Sequence, residues 1–125
     1  MTDFVAEFDK YLEEAGLTAG YLVQYYQWDD AGVKDSAPVL LIQPAGGSRQ
    51  VSTLSAEHYL NLAFVSNKKT GFAIATRARD VLTHVRENPV ASFGYLEALG
   101  SLNAPTFTED NKMVIQVMFR IVDCE

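Results

Sequence analysis

The chain has 125 residues, of which 48% are hydrophobic and 21% charged, and its formal net charge is −6. This length and composition predict one folded domain over residues 1–125, with a core that needs neither a metal ion nor a disulfide. The scattered basic residues exclude a sequence-independent grip on nucleic acid, which needs clustered lysine and arginine, and argue against an anionic membrane surface as partner. The first residues lack the basic and apolar regions of a signal peptide, and no apolar run reaches the roughly 18 residues of a membrane span. We therefore expect a cytoplasmic protein.

The first part of the chain reads as one helix followed by two strands. Apolar residues at helical spacing behind an acidic start predict a helix over residues 3–15, which Gly16 ends. Aromatic and β-branched residues predict a strand over 21–28, and an apolar run between two prolines predicts another over 38–43. The glycine-rich residues 44–48 predict a flexible loop.

The second part of the chain adds a strand, a long helix and a final strand. Alternating residues predict a strand over 57–65, and an apolar stripe predicts a helix over 71–87, which Asn88 and Pro89 end. The stretch around Phe93 and Leu96 is less regular. A polar turn over 108–112 then leads into a strand over 113–122. The long helix is predicted to point three arginines outward: Arg77, Arg79 and Arg86.

This order of elements predicts the fold class. It is an α+β domain with a single antiparallel or mixed β-sheet of four to five strands packed against two helices. In the strand over 57–65, Leu60, Leu62 and Phe64 share one face, and Tyr59, Asn61 and Ala63 share the other. In the last strand the odd-numbered residues form an apolar face. The opposite face carries Val114, Gln116, Met118, Arg120 and Val122.

The residues that could carry chemistry do not form a recognisable site. The soft metal ligands are His58, His84 and Cys124, and no two of them lie at i,i+3 or i,i+4, so we predict no metal site. The sequence Gly46-Gly47-Ser48-Arg49 lacks the spacing of a phosphate-binding P-loop and precedes a strand, not a helix. We predict no catalytic residue, no cofactor and no enzymatic activity.

Residues 102–112, with the pattern Pro105-x-x-Thr108-Glu109-Asp110-x-Lys112, lead into the long alternating strand from Met113. Together with the arginine-bearing helix segment 76–82, this region resembles the tail terminator, or minor tail, proteins of long-tailed bacteriophages. The resemblance covers most of the chain in size and architecture. It implies a structural subunit that forms a homo-oligomeric ring, commonly a hexamer, which caps the tail tube and docks to head or neck proteins. The subunit would be cytoplasmic during assembly and then part of the virion tail.

The mixed faces of two strands are the predicted contact surface for such a ring, because they are too apolar for free solvent and too polar for a dry core. The predicted contact residues are Tyr59, Asn61, Val114, Gln116, Met118 and Arg120, together with Gly46, Gly47 and Arg49 of the loop. We also expect the segment from Ala45 to Ser55 to be poorly ordered in the isolated subunit. The rival hypothesis is a small oligomeric enzyme or small-molecule-binding protein with a site between subunits, and it requires His58, His84 or Lys68-Lys69 to converge.

Overall fold

The computed structural model describes residues 4–26, 38–44, 49–50, 55–66, 71–100, 105–107 and 112–124. These residues contain two helices, α1 (Phe4–Glu14) and α2 (Gly71–Glu87), and eight strands of a single mixed sheet. The strands are β1 (Leu22–Tyr25), β2 (Val39–Pro44), β3 (Arg49–Gln50), β4 (Ser55–Val65), β5 (Val90–Ala91), β6 (Gly94–Ala98), β7 (Thr106–Phe107) and β8 (Met113–Cys124).

The sheet is six strands wide, in the order β1-β2-β4-β8-β6-β5. The short strands β3 and β7 pair with β4 and β8 beyond the ends of β2 and β6. β1 and β2 run parallel, and all other pairs are antiparallel. β4 and β8 form the long central pair, in register from Ser55↔Cys124 to Val65↔Val114.

Both helices cover the same side of the sheet. α1 buries Val5, Phe8 and Leu12, and α2 buries an apolar stripe that includes Ile74 and Val81. From the sheet, the core cluster takes the even-numbered apolar residues of β2 and β4, the odd-numbered ones of β8, and Leu96. These sheet residues are Leu40, Ile42, Leu60, Leu62, Phe64, Leu96, Ile115, Val117, Phe119 and Ile121.

The predicted helix ends are confirmed. Gly16, with φ of +75°, follows α1. Its N–H donates to the Glu13 carbonyl at 2.9 Å, and the Leu17 N–H donates to the Leu12 carbonyl at 3.0 Å, which is the bonding pattern of a Schellman cap. At the end of α2 the Asn88 N–H donates to the His84 carbonyl at 2.8 Å, and Pro89 prevents a further turn.

The prediction of four to five strands was too low. The stretch around Phe93 and Leu96 is the β5–β6 hairpin, and β3 lies inside the segment from Ala45 to Ser55 that was expected to be poorly ordered. Residues 45–48 and 51–54 of that segment lie outside the described residues. Strands of two residues carry no periodic signal of their own, so their pairing with β4, β6 and β8 defines them. The central strands also extend beyond their predicted limits, because β4 starts at Ser55 and β8 reaches Cys124. Residues 27 and 28 of the predicted first strand and residues 108–111 of the predicted turn lie outside the described residues.

One of the three arginines on α2 does not point outward as predicted. The Arg77 guanidinium donates to the Leu17 carbonyl at 2.7 Å and to the Ala19 carbonyl at 3.0 Å, and it lies 4.7 Å from the centre of the Tyr21 ring. Arg77 therefore ties the turn after α1 to α2, and it stabilises that turn through charge-assisted hydrogen bonds and a cation–π contact. Arg79 and Arg86 are exposed, as predicted.

Candidate interaction surface

The second face of the sheet, the side opposite α1 and α2, carries the residues predicted as contacts. The register pairs Tyr59 with Arg120, Asn61 with Met118, and Ala63 with Gln116 across β4 and β8. Paired residues of adjacent strands point to the same side of a sheet. The structure thus brings the six predicted residues of the two strands onto one surface: Tyr59, Asn61, Val114, Gln116, Met118 and Arg120. Gln116 is exposed and the other five are half-buried.

Arg120 joins three strands on this face. Its Nη1 donates to Glu57 Oε1 on β4 at 2.9 Å, and its Nη2 donates to Glu97 Oε2 on β6 at 2.7 Å. Tyr59 donates its hydroxyl proton to the second oxygen of Glu57 at 2.9 Å. The Arg120 side chain is 29% exposed and that of Glu57 is 15% exposed, so this cluster is only partly in contact with solvent.

The hydrogen bonds of the cluster shift two pKa values. The Arg120 pKa is raised, first by its hydrogen bond to Glu97 and further by the charges of Glu97 and Glu57. The Tyr59 pKa is also raised, first because its hydroxyl donates to Glu57 and then by burial and the Glu57 charge. Both shifts favour the protonated donors at neutral pH. Arg120 Nε is buried and makes no hydrogen bond to the described residues.

A second polar contact runs from the centre of the face towards β1. The Asn61 amide donates to Gln43 Oε1 on β2 at 3.3 Å, and the Gln43 amide donates to the Tyr26 carbonyl at 3.1 Å. Next to this contact the face is apolar and buried. Its residues there, Val39, Leu41, Ala63 and Val65, do not belong to the core cluster under the helices. The second face therefore has a buried apolar end and a half-exposed end of mixed polarity.

Sequence reasoning missed two carboxylates that organise this surface. Glu57 lies two residues before Tyr59 on the same strand, so a period of two already places both side chains on one face. Glu97 could not be placed, because its strand was not predicted. Of the three predicted loop contacts, Gly46 and Gly47 lie outside the described residues, and Arg49 lies on β3 opposite Glu57.

The residues required by the rival hypothesis do not meet in the described part of the subunit. His58 stacks on Phe4 with 4.1 Å between ring centres, and His84 lies 5.1 Å from the Tyr11 ring. Phe93 stands between Phe4 and Tyr11, at 6.4 and 6.3 Å from them, so three rings separate the two histidines. Lys68 and Lys69 lie outside the described residues.

A groove of about 430 Å³ lies between α1, the C-terminal end of α2 and the β5–β6 turn. The Tyr11 hydroxyl donates to the Asn88 carbonyl at 2.7 Å within it, and burial raises the Tyr11 pKa. Its lining combines rings with acidic and basic side chains, including Glu7, Lys10, Tyr11, Glu14, His84 and Phe93.

The residues that the structure describes have two further properties. They hold no group of three or more His, Cys, Asp or Glu side chains that could bind a metal ion. They also include no helix that is both long and apolar enough to cross a membrane.

Fold and surface together define the class: a two-layer α+β domain with helices on one side of its sheet and a mixed face of polar and apolar side chains on the other. The chain belongs to the phage tail termination protein family, whose family model matches residues 1–124. No curated protein matches the chain. The resemblance to tail terminators drawn from the sequence is confirmed. As a member of that family the chain is a structural protein of a phage tail, and the family is structural, not enzymatic.

Proposed function

We propose that the chain is the subunit of a homo-oligomeric ring, expected to contain six copies, that caps the finished tail tube and provides the surface to which head or neck proteins dock. Membership of the tail termination family supports this role. The subunit assembles in the cytoplasm, ends in the virion tail and needs no cofactor.

The observation that carries the proposal is the second face of the sheet. Its central residues are half-buried and alternate between apolar and polar, as in Met118 beside Arg120. Protein interfaces mix apolar and polar side chains in similar proportions, and Tyr, Met and Arg are enriched in them. The Arg120 charge is already paired with Glu57 and Glu97, so a partner can cover this face without leaving an isolated buried cation. We assign the face to contacts with other copies or with the tail tube.

Two measurements test the proposal. Light scattering of the purified protein gives its mass, and a ring of six copies predicts six times the 13.8 kDa of one chain. Electron microscopy of tail tubes polymerised with and without the protein then gives tube length and the appearance of tube ends. The proposal predicts shorter tubes, each with a ring at one end.

The controls separate capping from non-specific binding. Protein added to finished tubes should bind only at their ends, whereas decoration along the tube wall would contradict a terminator role. A monomer in solution that forms rings only at tube ends is compatible with the proposal. Unchanged tube length together with bare ends would overturn it.

A further inference from the structure

The outer edge of the sheet at β5 has the geometry of a strand acceptor. Val90 pairs with Tyr95. In the neighbouring pair of the same ladder, Pro89 and Leu96, the Leu96 N–H donates to the Pro89 carbonyl at 2.6 Å. Because bonded and non-bonded pairs alternate in an antiparallel ladder, the N–H and C=O of Val90 point away from β6. The residue is 77% exposed. An added strand would find one donor and one acceptor there.

The groove beside α1 continues this edge. Val90 lines one wall, and α1 lines the other with Tyr11 and Glu14. A strand placed along β5 would therefore bond to Val90 on one side and contact the rings of Tyr11, His84 and Phe93 on the other. The groove carries two carboxylates, Glu7 and Glu14, against one ammonium group, Lys10. Together with the negative C-terminal end of α2 they favour a basic side chain in this position.

The opposite edge of the sheet carries one basic residue, Arg49 of β3, at the same level. One row of paired residues crosses the sheet from Val90 through Tyr95, Val122 and Glu57 to Arg49 on β3. β5 is separated from β4 by three antiparallel pairings (β5–β6, β6–β8 and β8–β4), so β5 runs antiparallel to β4. β3 also runs antiparallel to β4, so β3 and β5 run in the same direction. Copies placed side by side along this row would bring β3 of one against β5 of the next, in parallel.

We propose that β3 of one copy adds to the β5 edge of the next copy and lies along the groove between β5 and α1. The inference rests on the proposed function in taking a second copy as partner. Two different surfaces of the subunit meet in this contact, so it is head-to-tail. Such a contact closes into a ring when the rotation between neighbours divides a full turn evenly and carries no rise along the axis. The contact has a direction because β3 and β5 lie on opposite edges of the sheet.

The first test removes the outward N–H of Val90. Val90→Pro deletes a donor that the β5–β6 hairpin does not use, and proline is tolerated at such an edge position. Val90→Thr keeps the donor and is the matched control. Light scattering should show that Val90→Pro needs at least about tenfold more protein to assemble, equivalent to ~1.4 kcal/mol, while Val90→Thr assembles like the parent. Thermal melts report whether each variant is folded.

The second test uses the direction of the contact. Arg49→Glu alters β3 and should block assembly, whereas Arg79→Glu makes the same charge change at an exposed position of α2 and should not. In a mixture of the two variants, the Val90→Pro chain has an intact β3 and the Arg49→Glu chain has an intact β5 edge. The mixture should give pairs of twice the mass of one chain and nothing larger.

The outcomes distinguish this inference from the proposed function. If the parent protein forms rings and both variants keep the ring mass, the β3–β5 contact is wrong while the terminator role stands. If a strand of the tube protein occupies the groove instead, Val90→Pro should form normal rings that no longer bind tubes. That result also overturns the contact between copies. If the parent caps no tubes and remains a single chain, both proposals fail together.

Discussion

Gly94, the first residue of β6, lies against β8. Its φ is +148°, and a Cβ at this position would lie 2.6 Å from the Val122 carbonyl oxygen and 3.1 Å from Ile121 Cγ2. Both neighbours belong to the central strand, so relief of the clash must shift the β6–β8 pairing.

We therefore expect Gly94→Ala to lower the free energy of unfolding by about 2–4 kcal/mol, measured by urea denaturation. Gly16→Ala is the control, because Gly16 also has a positive φ but no atom within 4 Å of its added Cβ. It should lose only ~1 kcal/mol, from backbone strain alone. Equal losses in the two variants would show that contact with β8 is unimportant.

Between elements, the Arg120 cluster links β4, β8 and β6. Arg120→Glu would place a third carboxylate beside Glu57 and Glu97, and we expect the free energy of unfolding to fall because three like charges repel. The loss should shrink as salt is added, because the cluster is partly exposed and its charges are screened. Gln116→Glu, on the same strand and face, is the control and should change stability by at most ~0.5 kcal/mol. A loss that does not depend on salt would mean that Arg120 acts mainly through packing.

Three tyrosines that connect elements predict how stability changes at high pH. Burial raises the pKa of Tyr11 and Tyr21, and the hydrogen bond to Glu57 raises that of Tyr59. The folded state therefore holds these protons above pH ~10, where an unfolded tyrosine has lost its own. Their contribution to stability is complete below pH ~10 and is lost as the pH rises through the folded values.

Urea denaturation should thus show a free energy of unfolding that declines above pH ~10. In Tyr59→Phe the decline should be smaller, because one of the three groups no longer titrates. An identical decline in the variant would remove Tyr59 from this explanation.

Elements with a long periodic signal could be predicted from the sequence, and those defined by their neighbours could not. Helix α2 begins and ends at the predicted residues, and the two faces of β4 and β8 are as predicted. The β5–β6 hairpin was missed, because β5 has two residues and β6 five, too few for a periodic signal. The register places the predicted contact residues of β4 and β8 on one surface, while Glu97 lies on β6, a strand that was not predicted.

At the scale of the whole molecule, both described helices lie on one side of the sheet, and the proposed contacts with other chains lie on the other. Gln116 is exposed near the middle of the second face, opposite Ala63 on β4. A large charged side chain there would stand within any interface that covers the face, and the exposure of Gln116 leaves room for it beside the described residues. The position therefore separates effects on assembly from effects on folding.

Gln116→Arg should weaken assembly or tube capping by at least about tenfold, because burying an unpaired guanidinium costs more than a typical interface contact contributes. Its melting temperature should match that of the parent, since exposed substitutions usually change stability by at most ~0.5 kcal/mol. The matched control is Thr83→Arg, which adds the same charge at an exposed position of α2 on the opposite side of the subunit. Light scattering and electron microscopy of capped tubes measure the effect, and thermal melts report folding. If Gln116→Arg assembles and caps like Thr83→Arg, the second face is solvent-exposed surface and the contacts of the ring lie only at its strand edges.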